Sequence, residues 1–213
     1  MVSAADFAGL LCSRLCHDLL SPVGAMANGV ELLADEQDET ARAQVMELLA
    51  ESARASASKL KFFRLAFGAA GGFGDVVDSR DVEAAARGLY GRERRIEFDW
   101  LVDTPTLGKA AVKALLNLIM LAGDALPRGG HLAAGAETHG AATELVVRAE
   151  GPRLTLDPAL SEALAGRAPS DGLNPRVAGA WLVHLLAAEH GGHAQVMRPD
   201  DGVLLFGATL GAA

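Results

Sequence analysis

A chain of 213 residues with 27 acidic and 19 basic side chains carries a formal charge of −8 and a pI near 5.2, the wrong sign for gripping phosphate backbones or anionic lipid. Half of its residues are hydrophobic and 22% are charged, a balance that excludes disorder and low-complexity repeats and allows one domain, or a small one joined to a medium one. Cys12 and Cys16 are the only cysteines, no cleavable leader opens the chain, and no apolar run approaches the ~18 residues that cross a bilayer. The expectation is a reduced, cytoplasmic protein with no nucleic-acid and no membrane partner.

Residues 4–33 favour helix. Ala8, Cys12, Leu15, Leu19, Val23, Met26, Val30 and Leu33 recur in steps of three and four, which at about 100° per residue keeps them in one stripe, the seam of a bundle. The acidic stretch 34–39 interrupts the pattern, and Asp38 is placed to cap a second helix over residues 40–67. That helix presents Val45, Leu48, Leu49, Ala55, Phe63 and Phe67, so both helices carry apolar faces that two helices alone leave uncovered. Pairing of two copies into a four-helix bundle is one solution, and docking on the rest of the same chain is the other. Cys12, in the stripe, and Cys16, beside it, read as buried small hydrophobes, because no second Cys–His group stands at zinc spacing.

The glycine-rich stretch 68–74 separates a helical hairpin domain, 1–70, from a second domain, 75–213. The second reads as helix (79–89), strand (95–101), helix (107–126), strands (131–137 and 144–149), helix (176–189) and strands (194–198 and 203–210), with Asp200-Asp201-Gly202 as a hairpin turn. Helices over a largely antiparallel sheet make the class α+β.

The chemistry concentrates in Cys16-His17-Asp18-Leu19-Leu20-Ser21-Pro22. His17 lies about 165° from the centre of the apolar stripe, which points its imidazole into solvent. Ser13, Ser21, Gly24 and Asn28 share that face and let another protein's surface approach the ring, with Leu20 as a flanking anchor. Ser13, Arg14, Leu20, Gly24 and Asn28 are thus the expected partner-binding residues. Pro22 removes a backbone donor and frees the carbonyl of Asp18, which predicts a slight bend after the histidine. An imidazole, with a reference pKa of about 6.5, keeps a neutral, nucleophilic share at cytoplasmic pH and suits a reversible phosphoryl carrier. Asp18 is placed to hold one ring N–H, but adjacent helix residues do not face one another squarely, so the contact depends on rotamer.

The string His-Asp-Leu-Leu-Ser-Pro at 17–22 resembles the phosphoacceptor box of histidine kinases. The longer stretch 11–25, followed by Asn28-Gly29 and Glu31-Leu32, resembles the ChpT-type histidine phosphotransferases, and the similarity runs the length of the chain. The resemblance implies a dimeric four-helix bundle followed by a degenerate histidine-kinase ATPase-like α/β sandwich. It makes His17 the phosphorylated residue, Asp18 its acidic partner, and Ser21 the position where kinases carry a polar residue that influences phosphate removal. It implies the receiver domain of a CckA-like hybrid kinase as donor and those of CtrA-like and CpdR-like response regulators as acceptors, in a cell-cycle phosphorelay.

The second domain departs from the kinase ATP site at three places. Residues 115–130 resemble its asparagine-bearing helix, yet four positions beyond Asn117, where kinases hold magnesium with another Asn, stands Leu121, with no oxygen for a hard cation. Ala149 and Arg153 occupy positions where an Asp and a Gly read adenine. Residues 176–192 resemble the last kinase helix, but Val177, Ala178 and Trp181 replace the phosphate-cradling glycines. The reading is a histidine phosphotransferase that passes a phosphoryl group between two aspartates, with no cofactor of its own and Mg²⁺ supplied by the partner's receiver domain. The alternatives are an active sensor kinase fragment, opposed by the three losses, and a non-catalytic dimeric adaptor, opposed by Asp18 and Pro22 beside an exposed histidine. His131, His139, His184, His190 and His193 read as packing or surface residues, and Trp100 and Trp181 as core.

Overall fold

A computed structural model of the chain describes residues 2–68, 75–90, 95–140, 142–169 and 172–211. Helices α1 (Ala4–Asp35) and α2 (Glu39–Ala66) form an antiparallel hairpin. Ser3 Oγ accepts from the N–H of Asp6 and the Asp38 carboxylate from that of Ala41, satisfying donors that a first helical turn leaves unpaired. Between the helices the Glu36 carboxylate accepts from the N–H groups of Gln37 and Asp38, while Arg42 Nη1 donates to the carbonyls of Leu33 and Glu36, each at 3.0 Å. The acidic stretch is therefore a built turn, short enough to lay α2 directly back on α1. Gly29 permits the close approach, since a Cβ there would lie 2.9 Å from the Leu49 side chain.

The stripe of α1 is not one seam. Leu15, Leu19, Met26 and Leu33 are partly buried, whereas Ala8, Cys12, Val23 and Val30 are exposed. The face docked on α2 is marked by buried Pro22 and Gly29 and is rotated roughly 60° from the centre of the stripe. One neighbouring helix covers only part of so wide an apolar surface. Cys12 and Cys16, expected as buried hydrophobes, lie exposed along the uncovered edge.

The glycine-rich break, apart from Gly68, lies outside the described residues. Beyond it come β1 (Val76–Asp78), α3 (Ser79–Tyr90), β2 (Ile96–Trp100), β3 (Thr106–Gly108), α4 (Lys109–Asp124), β4 (Gly130–His139), β5 (Ala142–Glu150), α5 (Pro158–Leu164), α6 (Ala178–Glu189), β6 (His193–Asp200) and β7 (Val203–Leu210). The five-stranded sheet runs β2-β4-β5-β7-β6, antiparallel except for the β2–β4 pair, and β1 pairs separately with β3. Helices α4 and α6 cover one face. Leu132, Ala134, Leu145, Val147, Leu204 and Phe206 point into that layer and are buried, alternating with the exposed Val146 and the half-buried Leu205 of the open face. The class is the expected α+β hairpin and sandwich, and Asp201 and Gly202 form the turn between β6 and β7.

The hairpin is built into the sandwich. The last turns of α2 put Phe62, Phe63, Leu65 and Ala66 into the same core as α3 and α4, with the Phe62 and Phe63 rings edge to face at 5.6 Å. Asn117, fully buried on α4, donates Nδ2 to the carbonyl of Ala66 at 3.1 Å and to that of Lys113 at 2.8 Å. It thereby satisfies a carbonyl at the C-terminal end of α2. The asparagine matched to a nucleotide helix serves here as a strut between hairpin and sandwich. Gly123 makes room on α4 for the ring of Tyr90, whose hydroxyl donates to the Ile119 carbonyl.

Candidate active site

His17 stands on the outer side of α1 with its side chain 82% exposed. Its Nδ1 lies 3.1 Å from Asp18 Oδ1. The other carboxylate oxygen of Asp18 accepts from Arg14 Nε at 3.1 Å, and Arg14 Nη2 donates to Asp124 Oδ2, at the end of α4, at 2.7 Å. Arg14 is buried. Burial by itself lowers the pKa of a guanidinium, but the charges of Asp124 and Asp18, with their hydrogen bonds, outweigh it and hold Arg14 above its ordinary value. The Asp18 carbonyl, whose helical partner Pro22 removes, accepts instead from Lys59 Nζ of α2 at 2.7 Å. Proline in the helix thus leaves no orphan at this point, because a cation from the neighbouring helix takes the vacant lone pair.

Around the imidazole, Ser13, Leu20, Ser21 and Asn28 are exposed and Gly24 is half-buried, a low-relief face with one large apolar side chain, Leu20, 69% exposed. Arg14 leaves the partner-binding set. Its guanidinium is turned inward and engaged by two carboxylates, because an arginine four residues before an aspartate on a helix meets it on the same face. In the sandwich, Leu121 and Ala149 are buried hydrophobic members of the core, Val177 and Ala178 are buried, and Arg153 is exposed.

Residues 79–202 match the family model described as the histidine phosphotransferase C-terminal domain. The protein phosphotransferase ChpT of Brucella abortus (strain 2308) is 38% identical over 190 residues, 89% of this chain and 89% of that protein. The chain belongs to the ChpT-type histidine phosphotransferases. A solved structure described as a 1.7 Å structure of a bacterial phosphotransferase superposes with a TM-score of 0.85 at 34% identity, covering 98% of each chain. As a ChpT-type protein, the chain is a protein phosphotransferase of a phosphorelay. The matched domain begins at Ser79, wholly beyond the helix-1 segment that carried the resemblance, so two separate stretches point to the same family. No helix among the described residues is long and apolar enough to cross a membrane.

Two features of this histidine phosphotransferase were not legible in its sequence, and a third was legible only in part. Lys59 reaches the Asp18 carbonyl only once the register of the hairpin is known. Asp124 meets Arg14 across 110 residues of chain. The role of Arg14 had a signal, its spacing to Asp18, but the buried side of α1 had first to be placed. Elsewhere His131 pairs with Asp99 at 2.8 Å, His190 Nδ1 meets the Leu186 carbonyl at 2.9 Å, and the Trp181 and His184 rings pack tilted with centroids 5.3 Å apart. These are surface and packing roles, and Trp100 and Trp181 pack against the core.

Proposed function

We propose that His17 takes a phosphoryl group from the receiver aspartate of a hybrid histidine kinase and gives it to the receiver aspartate of a response regulator, through a phosphohistidine intermediate. The observation that carries the reading is an imidazole held on one side only: Nδ1 sits 3.1 Å from Asp18 while the ring is 82% exposed. With the proton on Nδ1, the lone pair of Nε2 attacks phosphorus in line. The P–O bond to the donor carboxylate breaks, that carboxylate leaves with the electron pair, and an N–P bond forms. No proton has to move, and Asp18 balances the positive charge that the ring gains. Transfer to the second aspartate runs the same steps backwards, and both use Mg²⁺ held by the partner's receiver domain.

Leu121 and Ala149 support a sandwich that is not an ATP-dependent kinase, since neither offers an oxygen and both are buried in the core; the residues present do not fit a magnesium nucleotide. The uncovered apolar edge of the hairpin supports pairing of two copies into a four-helix bundle, with 1–70 as the phosphotransfer and dimerisation domain and 75–213 as its degenerate kinase-like companion. Ser13, Leu20, Gly24 and Asn28 form the face on which receivers dock, and Ser21, four residues beyond His17, flanks the phosphoryl group. The assignment of CckA-like donors, CtrA-like and CpdR-like acceptors, a cell-cycle pathway and a cytoplasmic location rests on likeness to the family.

Incubation with a phosphorylated receiver tests the relay. An acid-labile phosphate is expected on the wild type and none on His17→Ala; equal labelling of both overturns the reading. Labelling from ATP without a donor protein would mark an active kinase instead. Leu20→Asp is expected to weaken receiver docking about tenfold or more without changing the oligomeric state, and a monomer in light scattering would contradict the placement of Leu20 off the seam.

A further inference from the structure

Asp18 alone does not fix its own carboxylate. Its side chain has several staggered wells, and a residue next to the histidine on a helix does not face it. Arg14 resolves this by binding one carboxylate oxygen, which leaves the other directed at His17 Nδ1. A free arginine has much rotamer entropy to lose, and here burial and the 2.7 Å contact with Asp124 hold it. Asp124 is firmly placed, because α4 is packed on nearly every side and Gly123, the residue before it, seats the Tyr90 ring. A carboxylate on the last turn of a helix also sits against the negative end of the dipole, an unfavourable position unless a cation faces it. Arg14 is a cation that does so, and it comes from the hairpin.

We infer that the sandwich is a template for the phosphoacceptor: Asp124 of α4 and Arg14 of α1 are positioning residues that orient Asp18, hold the Nδ1–H tautomer of His17 and so present Nε2 to the incoming phosphorus. This rests on the relay proposed above and adds to it a role for the second domain, which reaches the histidine through charge and hydrogen bonds, not through a nucleotide. The contact is fixed, since the aromatic end of α2 and the Asn117 strut tie hairpin and sandwich into one core. An ion pair that only glued the two parts together would change stability and leave the imidazole as it is.

The test reads the imidazole itself. In ¹⁵N-labelled full-length protein, ring-nitrogen spectra of neutral His17, assigned by their loss in His17→Ala, are expected to show the Nδ1–H tautomer. In Asp124→Asn the population is expected to shift toward a mixture. Uptake from a phosphorylated receiver is expected to fall about tenfold in kcat, the scale of one charge-assisted hydrogen bond, with KM for the receiver within about twofold because the docking face is untouched. Asp124→Glu is expected to recover at least half of the lost rate. An unchanged tautomer and unchanged kcat in a folded Asp124→Asn protein overturns the inference, as does a wild-type ring protonated on Nε2. Should Asp124→Asn not fold, Arg14→Lys, which keeps the charge and loses the fork, gives the same two readouts. Labelling of His17→Ala would instead overturn the relay, while the tautomer, measured without any receiver, still decides the positioning chain.

Discussion

In the sandwich, Leu115, Leu116, Leu118 and Ile119 of α4 lose all contact with solvent, whereas Val23, Val30, Leu32, Met46 and Leu48 of the hairpin stay 44–62% exposed. Both regions are comparably rich in apolar side chains at helical spacing, so the difference lies in what each can cover alone. The sandwich closes a core between sheet and helices. The hairpin enters such a core at the end of α2, through Phe62, Phe63, Leu65 and Ala66, with Leu15 of α1 packed against it. Contiguous exposed apolar surface marks a site of association. On the proposed function the contrast is a division of labour: the hairpin, left incomplete, is the part that would meet other proteins, and the closed sandwich is the part that would hold it in place.

The largest effect that tests this contrast is on stability. Leu116→Ala empties a fully buried site and is expected to cost about 2–5 kcal/mol. The same truncation at Leu20, 69% exposed, is expected to change stability by less than about 0.5 kcal/mol. Urea unfolding followed by the fluorescence of Trp100 and Trp181 measures both. Equal losses would mean that hairpin and sandwich are stabilised alike, and the comparison would break.

A smaller effect, on assembly, sharpens it from the other side. Burying a valine contributes about 1.5–3 kcal/mol relative to exposure, so the pair Val23→Glu and Val30→Glu is expected to weaken a two-fold dimer by at least about a hundredfold. Light scattering at concentrations where the wild type pairs is expected to show a monomer with its helix content retained. A persistent dimer would place the seam elsewhere, on α2 around Met46 and Leu48.

Most of the hairpin could be read because its signals are local. Asp38 caps α2 as its position suggests, and the three-and-four spacing of α1 marks a helix. Which part of the apolar stripe meets α2 and which stays open depends on a neighbour 40 or so positions away, and for that reason Cys12 and Cys16 were expected inside and lie outside. In the sandwich the longer strands and helices followed from alternation and period, while β1 and β3, three residues each, are too short for either to register. At the site, the exposure of His17 was legible from angle alone. Its support was legible only in part: the four-residue spacing of Arg14 and Asp18 is local, but Lys59 comes from α2 and Asp124, which holds Arg14, from the second domain, and no spacing within one element encodes those meetings.

The smallest expected effect concerns how the sandwich begins. Where the hairpin opens its helices with Ser3 and Asp38, α3 follows Asp78, whose carboxylate accepts from the backbone N–H of Arg80 at 2.9 Å and from its guanidinium at 3.1 and 2.8 Å. The guanidinium hydrogen bonds first, and the backbone one with them, lower the Asp78 pKa to about 2. A carboxyl depressed in the folded state adds stability above its unfolded pKa of about 3.9, and that contribution disappears as pH falls through about 2. Arg80→Ala removes the guanidinium contacts and keeps the backbone one. Carboxyl-detected NMR titration is therefore expected to move the Asp78 midpoint up from about 2 toward the ordinary carboxylate range. The stability gap between wild type and variant is expected to stay small at neutral pH, because both groups meet water, and to close between about pH 4 and pH 2. A wild-type midpoint in the ordinary range would show that the Arg80 guanidinium does not hold the Asp78 carboxylate at the start of α3.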